Sequence, residues 1–290
     1  METLSAERTK THPFWVNRGN KNPQRPAALT MNTIVEYIYS CMPAPRPLGF
    51  PPGKTLPEEL CTAMKRIEAS GVVYPDGYYQ TVLEKYTKEG VCYPHILMAI
   101  GQPRINNHFF YPCDLKGSGR LLDYGCGTGC NVRQLIRDGF PRERITAFDI
   151  TWASINLGFD LYCDQEKIHD LFTVSEMFPF GPAEFDMVYS ARVLHVIADD
   201  EVLKNYLANA WSTLKPGGIL FGSTAGQIGE GGVRSLGEWR PPRMMTKDQL
   251  TTCLTGAGFN TSKIVQRHHD HHHIAYSDIC VFEFCAKKPA

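Results

Sequence analysis

The feature that most constrains the fold of this 290-residue chain is a glycine-rich turn that follows a short apolar run. Residues 121–129 have the sequence LLDYGCGTG, with glycines at positions 125, 127 and 129. Glycine has no β-carbon, so main chain built from it can approach a ligand closely. The first N–H groups of the helix predicted to follow are unpaired and face the turn. The segment therefore predicts a strand, turn and helix that seat a nucleotide-like ligand.

Strands and helices alternate from about residue 117 to the end of the chain. Amphipathic segments such as NVRQLIRDG and DDEVLKNYLANAWSTLKPGG separate most of the predicted strands. This alternation predicts an α/β fold with a mostly parallel sheet covered on both faces. A histidine-rich loop too short for a helical crossover joins the last two strands, so they are expected to be antiparallel. The predicted strands are RLLDY, RITAFDI, LFTVSE, FDMVYSA, GILFGST, KIVQRHH and ICVFEFCA.

The region before this pattern predicts a separate helical extension. Residues 1–30 are polar and contain prolines, and residues 31–115 are mainly helical in pattern. In TLPEELCTAMKRIEAS, Thr55 and Glu58 form a predicted capping box, and Pro57 suits the first turn. MNTIVEYIYSCM and GYYQTVLEKYTKEG are further predicted helices. We expect an extension over residues 1–115 that contributes a substrate cap, and a ligand-binding domain over residues 116–290.

Two acids narrow the identity of the ligand. Asp149 ends the second predicted strand, 20 residues after Gly129, where a carboxylate can accept hydrogen bonds from two ribose hydroxyls. Asp123 stands directly before the turn and would repel a pyrophosphate. The glycine spacing also differs from the G-x-G-x-x-G pattern of dinucleotide sites. A nucleoside ligand that carries an ammonium or sulfonium group suits this carboxylate, as S-adenosylmethionine does.

These segments resemble the motifs of the class I S-adenosylmethionine-dependent methyltransferases, in particular the small-molecule and natural-product branch. The similarity covers roughly residues 117–288 and rests on LLDYGCGTG, AFDI, PFGPAEFDMVYSARVLHVI, LKPGGILFGST and MTKDQLTTCLTGAGFN, in that order. It implies a doubly wound, seven-stranded, Rossmann-like sheet with an antiparallel last strand. It also implies S-adenosyl-L-methionine as cofactor, bound by Asp123, Gly125, Cys126, Gly127, Thr128, Gly129, Asp149, Ile150, Ser175, Glu176, Met177, Ser190 and Ala191.

The chain departs from the resemblance after the third strand, where many relatives carry an acid and a small residue that bind the adenine amino group. This stretch is FTVSEMFPF here. Ser175, Glu176 and Met177 are the nearest candidates for adenine contacts, and their register with the family motif stays open.

The chemistry implied by the resemblance is an in-line displacement, in which the protein aligns nucleophile, methyl carbon and sulfur and keeps water out. His195, after the fourth strand, is the first candidate for a catalytic base, with packing under the cofactor as the alternative. Candidate substrate residues are Tyr78, Tyr79, Tyr86, Arg234, Trp239 and Arg240. For the tyrosines the alternative is a place in the helical core, and for the Arg/Trp segment a mobile surface loop.

Composition and local sequence pattern count against several other classes of protein. Lys+Arg and Asp+Glu are 30 each, which counts against a nucleic-acid partner. The ten cysteines include no C-x-x-C pair, as expected for free thiols in a reducing compartment. The N-terminal twenty residues have no apolar signal core, and HILMAIG is too short to cross a membrane. We expect a cytoplasmic protein without a membrane partner, and a homodimer is left open.

The segment RHHDHHH, residues 267–273, is histidine-rich, but consecutive residues cannot all face one ion. We therefore predict no metal.

The sequence thus predicts a methyltransferase of secondary metabolism that acts on a small molecule, with oxygen as the expected methyl acceptor. Four alternatives remain open at this point. They are an N- or C-methyltransferase, a protein of the same fold that binds the cofactor without methyl transfer (a partner subunit or a cyclase-like catalyst), a nicotinamide oxidoreductase, and a protein or RNA methyltransferase.

Overall fold

The computed structural model describes residues 55–91, 96–111, 119–229, 243–268 and 279–290. Seven strands form one sheet with the order β3-β2-β1-β4-β5-β7-β6. Strands β1 to β5 are parallel, and β7 runs antiparallel to both β5 and β6. The strands are β1 Leu121–Tyr124, β2 Ile145–Asp149, β3 Phe172–Val174, β4 Phe185–Ala191, β5 Leu214–Gln227, β6 Asn260–His268 and β7 Ile279–Lys287.

Eight α-helices lie in the described part of the chain. Two precede the sheet and one short helix leads towards it, while the other five connect its strands. They are α1 Leu56–Ala69, α2 Tyr78–Glu89, α3 Ile96–Ala99, α4 Cys130–Arg137, α5 Trp152–Tyr162, α6 Gln165–Ile168, α7 Asp200–Thr213 and α8 Lys247–Gly256. Short 3-10 turns occur at Ile105–Asn107, Arg142–Arg144, His169–Leu171 and Leu194–Val196.

The predicted fold class is confirmed, including the antiparallel last strand. The capping box of Thr55 and Glu58 is present at the start of α1. Strand β5 is much longer than the predicted GILFGST because it begins at Leu214, which pairs with Phe185 of β4 across an irregular register. Its far end reaches Gln227 because β7 pairs with β5 there. The predicted helix MNTIVEYIYSCM lies outside the described residues.

The core divides into two clusters on opposite faces of the sheet. One face carries Leu122, Tyr124 and Phe148 and packs against α7 and α8. The other face carries Leu121 and Tyr189 and packs against α4 and α5, and this cluster also contains Ile105 from the segment before β1. Since parallel strands end at the same edge, this arrangement brings the polar ends of β1, β2 and β4 together.

The described part of the helical extension, α1 to α3, packs against α5 through a third cluster that includes Leu60, Ile67 and Leu161. Phenol groups fasten this contact, because Tyr74 Oη donates to the carbonyl of Leu161 and Tyr78 Oη to that of Asp160, both at 2.6 Å. The predicted domain boundary at residue 115 falls within 112–118, outside the described residues. Among the described helices, none combines the length and the apolar character needed to cross a bilayer.

Candidate functional site

The turn between β1 and α4 uses its three glycines in different ways. All three have positive φ angles, +79° at Gly125, +54° at Gly127 and +70° at Gly129. A β-carbon at Gly125 would lie 2.5 Å from Val193 Cγ2, and one at Gly129 would lie 2.6 Å from Phe172 Cζ. A β-carbon at Gly127 would meet nothing within 4 Å. Gly125 and Gly129 therefore permit close packing, whereas Gly127 borders open space that a ligand can enter.

Arg133 holds the turn from behind, a role that the sequence analysis missed. Its guanidinium forms two 2.7 Å hydrogen bonds to the carboxylate of Asp164 and donates to the carbonyl of Thr128 at 2.5 Å. It also stacks over the Tyr162 ring, 4.1 Å from the centroid. The arginine side chain is only 6% exposed, so this network fixes the orientation of the Thr128 peptide. No motif marks such a pair, because Asp164 is 31 residues away in sequence.

Helix α5 packs against the same carbonyl. A β-carbon at Gly158 would lie 2.2 Å from Thr128 O, so only glycine fits at this crossing. Contacts with α5 and with Arg133 therefore hold the turn in place before any ligand binds.

Asp149, the last residue of β2, contacts the glycine turn through its carboxylate. Its Oδ2 accepts a 2.8 Å hydrogen bond from the Gly127 N–H, and its Oδ1 accepts one of the same length from the Ile150 N–H. Burial raises the pKa of this carboxyl, while the N–H donors of Gly127, Ile150 and Thr151 act in the opposite direction. The acid predicted to bind ribose hydroxyls thus lies directly against the predicted turn.

Asp123 is the second acid of the site and is 1% exposed. Its Oδ2 has no hydrogen-bond partner among the described residues. Burial, followed by the charge of Asp149, raises its pKa to about 8. A cationic group would relieve both the missing hydrogen bond and the unfavourable burial of charge.

More buried polar atoms without partners lie at the same edge, on the ends of β4 and β5. They are the hydroxyl oxygen of Tyr189, Nε of Arg192 and Oγ of Ser223. Asp123 and Tyr189 are register partners, so their side chains share one face of the sheet. The sequence analysis did not single out these three residues, because nothing in the sequence shows that their polar atoms lack partners.

The candidate adenine residues lie beside Asp149. Val174, the last residue of β3, is paired with Asp149, so residues 175–177 begin at the same edge. Ser175 Oγ accepts a 3.2 Å hydrogen bond from the N–H of Met177, whose side chain is 68% exposed. Ile150 is partly buried. The structure therefore brings these four predicted residues together.

Ser190 lies on the opposite face of the sheet from Tyr189 and Ala191. Its Oγ is 2.8 Å from the hydroxyl oxygen of Tyr206, which donates to the carbonyl of Tyr124 at 3.0 Å. This places the Ser190 side chain against α7. Of the predicted pair, Ala191 is the one that shares a sheet face with Asp123.

The side chains of Cys126 and Thr128 are buried and are not placed to react with a ligand. Cys126 is buried in the core, and burial raises the pKa of its thiol well above the ordinary value. Thr128 is also buried, with its Oγ1 3.2 Å from Cys130 Sγ. Both residues can contribute backbone to the turn.

His195 lies in the 3-10 turn after β4. Its Nδ1 accepts a 3.4 Å hydrogen bond from the N–H of Ala225 and is 3.4 Å from Thr224 Oγ1. A backbone N–H can only donate, so the neutral ring carries its proton on Nε2. This tautomer makes Nε2 a hydrogen-bond donor rather than a proton acceptor.

The predicted substrate tyrosines lie in the contact between the helical extension and α5. Tyr78 bonds to the carbonyl of Asp160, Tyr79 donates to that of Cys61 at 2.8 Å, and Tyr86 donates to Asp160 Oδ2 at 2.5 Å. Asp160 lies near the C-terminal end of α5, whereas Asp149 precedes the N-terminal end of this helix. These phenols hold the two parts of the chain together, and the structure does not bring them to the glycine turn.

Arg234, Trp239 and Arg240 lie outside the described residues. So does the histidine-rich segment from residue 269 onwards. Within the part of the chain that the structure describes, no three His, Cys, Asp or Glu side chains form a group that could hold a metal ion.

Comparison with known proteins agrees with this geometry. Residues 121–218 match a family model described as a methyltransferase domain. Over 129 residues the chain is 30% identical to methyltransferase adrK of Penicillium rubens, covering 42% of this chain and 41% of that protein. Over 124 residues it is 24% identical to O-methyltransferase phiE of a fungal species, covering 40% and 41%. The chain thus spans about two fifths of the length of these relatives.

A solved structure with the same fold is that of the [4+2]-cyclase SpnF. It superposes with a TM-score of 0.51 and 19% identity, covering 83% of this chain and 99% of that chain. At this identity the likeness concerns the fold alone. Residues 121–218 are therefore similar to a methyltransferase domain, in agreement with the motif geometry and the fold.

Proposed function

We propose that this protein transfers a methyl group from S-adenosylmethionine to an oxygen atom of a small-molecule acceptor. The observation that carries the proposal is the pair of buried acids, Asp123 and Asp149, on neighbouring parallel strands beside the open space at Gly127. Asp149 suits the hydroxyls of a ribose, and the buried Asp123 suits a cationic amino-acid end. The name of the O-methyltransferase relative supports oxygen as the acceptor atom.

The residues present fit the cofactor. Asp149 would accept hydrogen bonds from the ribose hydroxyls, in place of the Gly127 N–H that it binds here. Asp123, whose Oδ2 lacks a partner, would face the ammonium group. Residues 175–177, which follow the register partner of Asp149, and Ile150 would cover the adenine.

The cofactor supplies a methyl group activated by a positively charged sulfur. The chain's own contribution is to orient the acceptor and exclude water. Residues 105–111 pack on the Tyr189 face of the sheet, where the His108 ring contacts Phe221 and its Nε2 lies 2.9 Å from the carbonyl of Gly222. We further propose that His195, with its proton on Nε2, donates a hydrogen bond near the acceptor rather than removing a proton from it.

Calorimetric titration with S-adenosylhomocysteine tests the cofactor site. Asp149→Ala should weaken binding by about 1.5–3 kcal/mol, because hydrogen bonds to a charged group are lost. Glu166→Ala, at an exposed acid in the first turn of α6, is the matched control and should bind like wild type. No binding by folded wild-type protein would overturn the proposal.

Transfer itself needs a separate measurement, since a protein of this fold can bind the cofactor without using it. We would incubate the full chain with methyl-labelled cofactor and a panel of hydroxyl, carboxyl and amino acceptors. Labelled product, with the carbon shift of its methyl group read by NMR, separates O-, N- and C-methylation. Tight cofactor binding without any labelled product across the panel would favour the alternative of binding without transfer.

A further inference from the structure

The segment that joins β4 to α7, residues 192–199, has two halves that are held in different ways. At its start, the Arg192 N–H donates a 2.6 Å hydrogen bond to the carbonyl of Ser223. Val193 packs against the glycine turn, since a β-carbon at Gly125 would lie 2.5 Å from Val193 Cγ2. The first half is therefore fixed between β5 and the turn proposed to hold the cofactor. The second half carries the histidine of the 3-10 turn and depends on other contacts.

Arg243 supplies these contacts. Its Nε donates to the carbonyl of Ile197 and its Nη2 to that of Ala198, each at 2.9 Å. Its main-chain N–H donates to the carbonyl of His195 at 3.1 Å. Nη2 also donates to Asp200 Oδ1 at 2.5 Å. A guanidinium presents several donors in one plane, so this side chain bonds two successive carbonyls in a fixed geometry that the single nitrogen of a lysine does not match.

The contacts of Arg243 do more than start α7. Asp199 already caps this helix, because its Oδ1 accepts hydrogen bonds of 2.8 and 3.0 Å from two N–H groups of the first turn. The side chain of Asp200 is 76% exposed, so its ion pair with Arg243 contributes little. The Arg243 side chain is only 19% exposed, which favours its bonds to the two carbonyls. What Arg243 adds is therefore the position of residues 195–198.

Residues 243–245 are themselves fixed to the end of β5. Met245 forms a parallel bridge with this strand at Gly226. His195 is thus bonded on two sides, through its carbonyl to the segment 243–245 and through its ring to the Ala225 N–H. The side-chain bonds of the arginine join residues 45 and 46 positions apart, so no local pattern in the sequence marks them.

We propose that Arg243 is a positioning residue for methyl transfer, which holds His195 at the acceptor without touching the acceptor itself. The inference rests on the proposed function, in which His195 donates a hydrogen bond near the acceptor. Displacing such a group by about 1 Å can lower a rate by about a hundredfold. Because the first half of the segment is fixed independently, loss of the Arg243 side chain should leave the cofactor site intact.

Amide hydrogen exchange, followed by NMR in the presence of S-adenosylhomocysteine, tests the placement of His195. In Arg243→Met the Ala225 N–H, which is bonded to the histidine ring, should exchange about tenfold faster than in wild type, or more. The Gln227 N–H, which donates to the carbonyl of Met245 at 3.0 Å, should keep its rate. Unchanged exchange at Ala225 would overturn the inference. Equal acceleration of both amides would show a general loss of stability and would overturn it as well.

The rate of methyl transfer is the second measurement, made with the acceptor that yields labelled product in the panel above. Arg243→Met should lower kcat by about ten- to a hundredfold, at unchanged affinity for S-adenosylhomocysteine. Arg243→Lys, whose ammonium can still bond one carbonyl, should regain part of the loss. Faster exchange at Ala225 with unchanged kcat would overturn both this inference and the role proposed for His195.

Arg142→Met is the matched control, because Arg142 also donates to a carbonyl, that of Lys167, and contacts a carboxylate, that of Asp170. It lies just before β2, at the amino ends of the parallel strands. Exchange at Ala225, kcat and cofactor affinity should all match wild type in this variant. Failure of wild type to bind S-adenosylhomocysteine would instead overturn the proposed function, and amide exchange in the free protein would still decide whether Arg243 places the histidine.

Discussion

Two regions of this protein bury polar side chains, and they differ in whether the buried polar groups have hydrogen-bond partners. Where the helical extension meets α5, the phenols of Tyr74, Tyr78 and Tyr86 all find acceptors on Asp160 or Leu161. At the carboxyl edge of the sheet, Asp123 and Tyr189 each leave a polar atom without a partner among the described residues. Both regions are packed, so burial alone does not distinguish them.

The difference separates a structural contact from a binding site. A buried polar group that already has its partner contributes to stability, and a ligand would have to break that bond. A buried group without a partner lowers the stability of the free protein and strengthens the complex with a suitable ligand. We therefore expect substitutions at the α5 contact to change stability alone, and those at the carboxyl edge to change binding with little loss of stability.

Arg133 gives the largest expected effect, because it is a fully bonded buried charge next to the site. Arg133→Met should lower the free energy of unfolding by about 3–5 kcal/mol, since it leaves Asp164 and the carbonyl of Thr128 without their partner. Chemical denaturation measures this loss, and the exposed Arg137→Met on the same helix should stay within about 0.5 kcal/mol of wild type. A loss at Arg133 no larger than that of the control would show that the network does not hold the turn.

The fold and the two acids could be predicted from the sequence, because periodicity and the glycine turn are local signals. The spacing of Gly129 and Asp149 was enough to place a carboxylate against the turn. Partners that are distant in sequence were not predictable, and Arg133 with Asp164 is the example. The tyrosines show a second limit, because Tyr78 and Tyr86 are amphipathic residues whose sequence pattern fits a helical core and a substrate cap equally well.

The raised pKa of Asp123 makes both stability and ligand binding depend on pH. Its pKa of about 8 in the free protein lies above the ordinary 3.8, so the folded state holds a proton that the unfolded state releases. This group therefore contributes stability at low pH that is lost as the pH rises from about 4 to 8. Binding of an ammonium group needs the ionised form, so affinity for S-adenosylhomocysteine should rise by up to about tenfold per pH unit towards pH 8.

Calorimetry at pH 6, 7 and 8 measures this dependence, and Asp123→Asn is the matching variant. The amide should bind weakly at every pH and should be as stable as wild type or more stable at pH 8. Affinity in wild type that does not change over this range would contradict the assignment of Asp123 as the group facing the ammonium.

Tyr86→Phe tests the contact between the helical extension and α5, where the buried phenols have hydrogen-bond partners. Its phenol donates to the carboxylate of Asp160, which Lys85 also contacts at 2.6 Å. Loss of a bond to a partly exposed charged group should lower the free energy of unfolding by about 1–2 kcal/mol. Affinity for S-adenosylhomocysteine should not change, because Asp160 lies near the C-terminal end of α5, at the opposite end from Asp149. Tyr79→Phe, which loses a bond to the neutral carbonyl of Cys61, should lose less stability.

Tyr189→Phe makes the same chemical change at the carboxyl edge of the sheet, where the hydroxyl has no partner among the described residues. It has the smallest expected effect on stability. The Tyr189 side chain is fully buried, and its hydroxyl group has no hydrogen-bond partner in the described part of the chain. Removing the oxygen therefore breaks no bond and ends an unfavourable burial, so the free energy of unfolding should stay within about 0.5 kcal/mol of wild type or increase. The ring contacts with His108 and Phe221 remain available to phenylalanine. A stability loss as large as that of Tyr86→Phe would mean that the hydroxyl is bonded in solution, and the distinction between the two regions would fail at this residue.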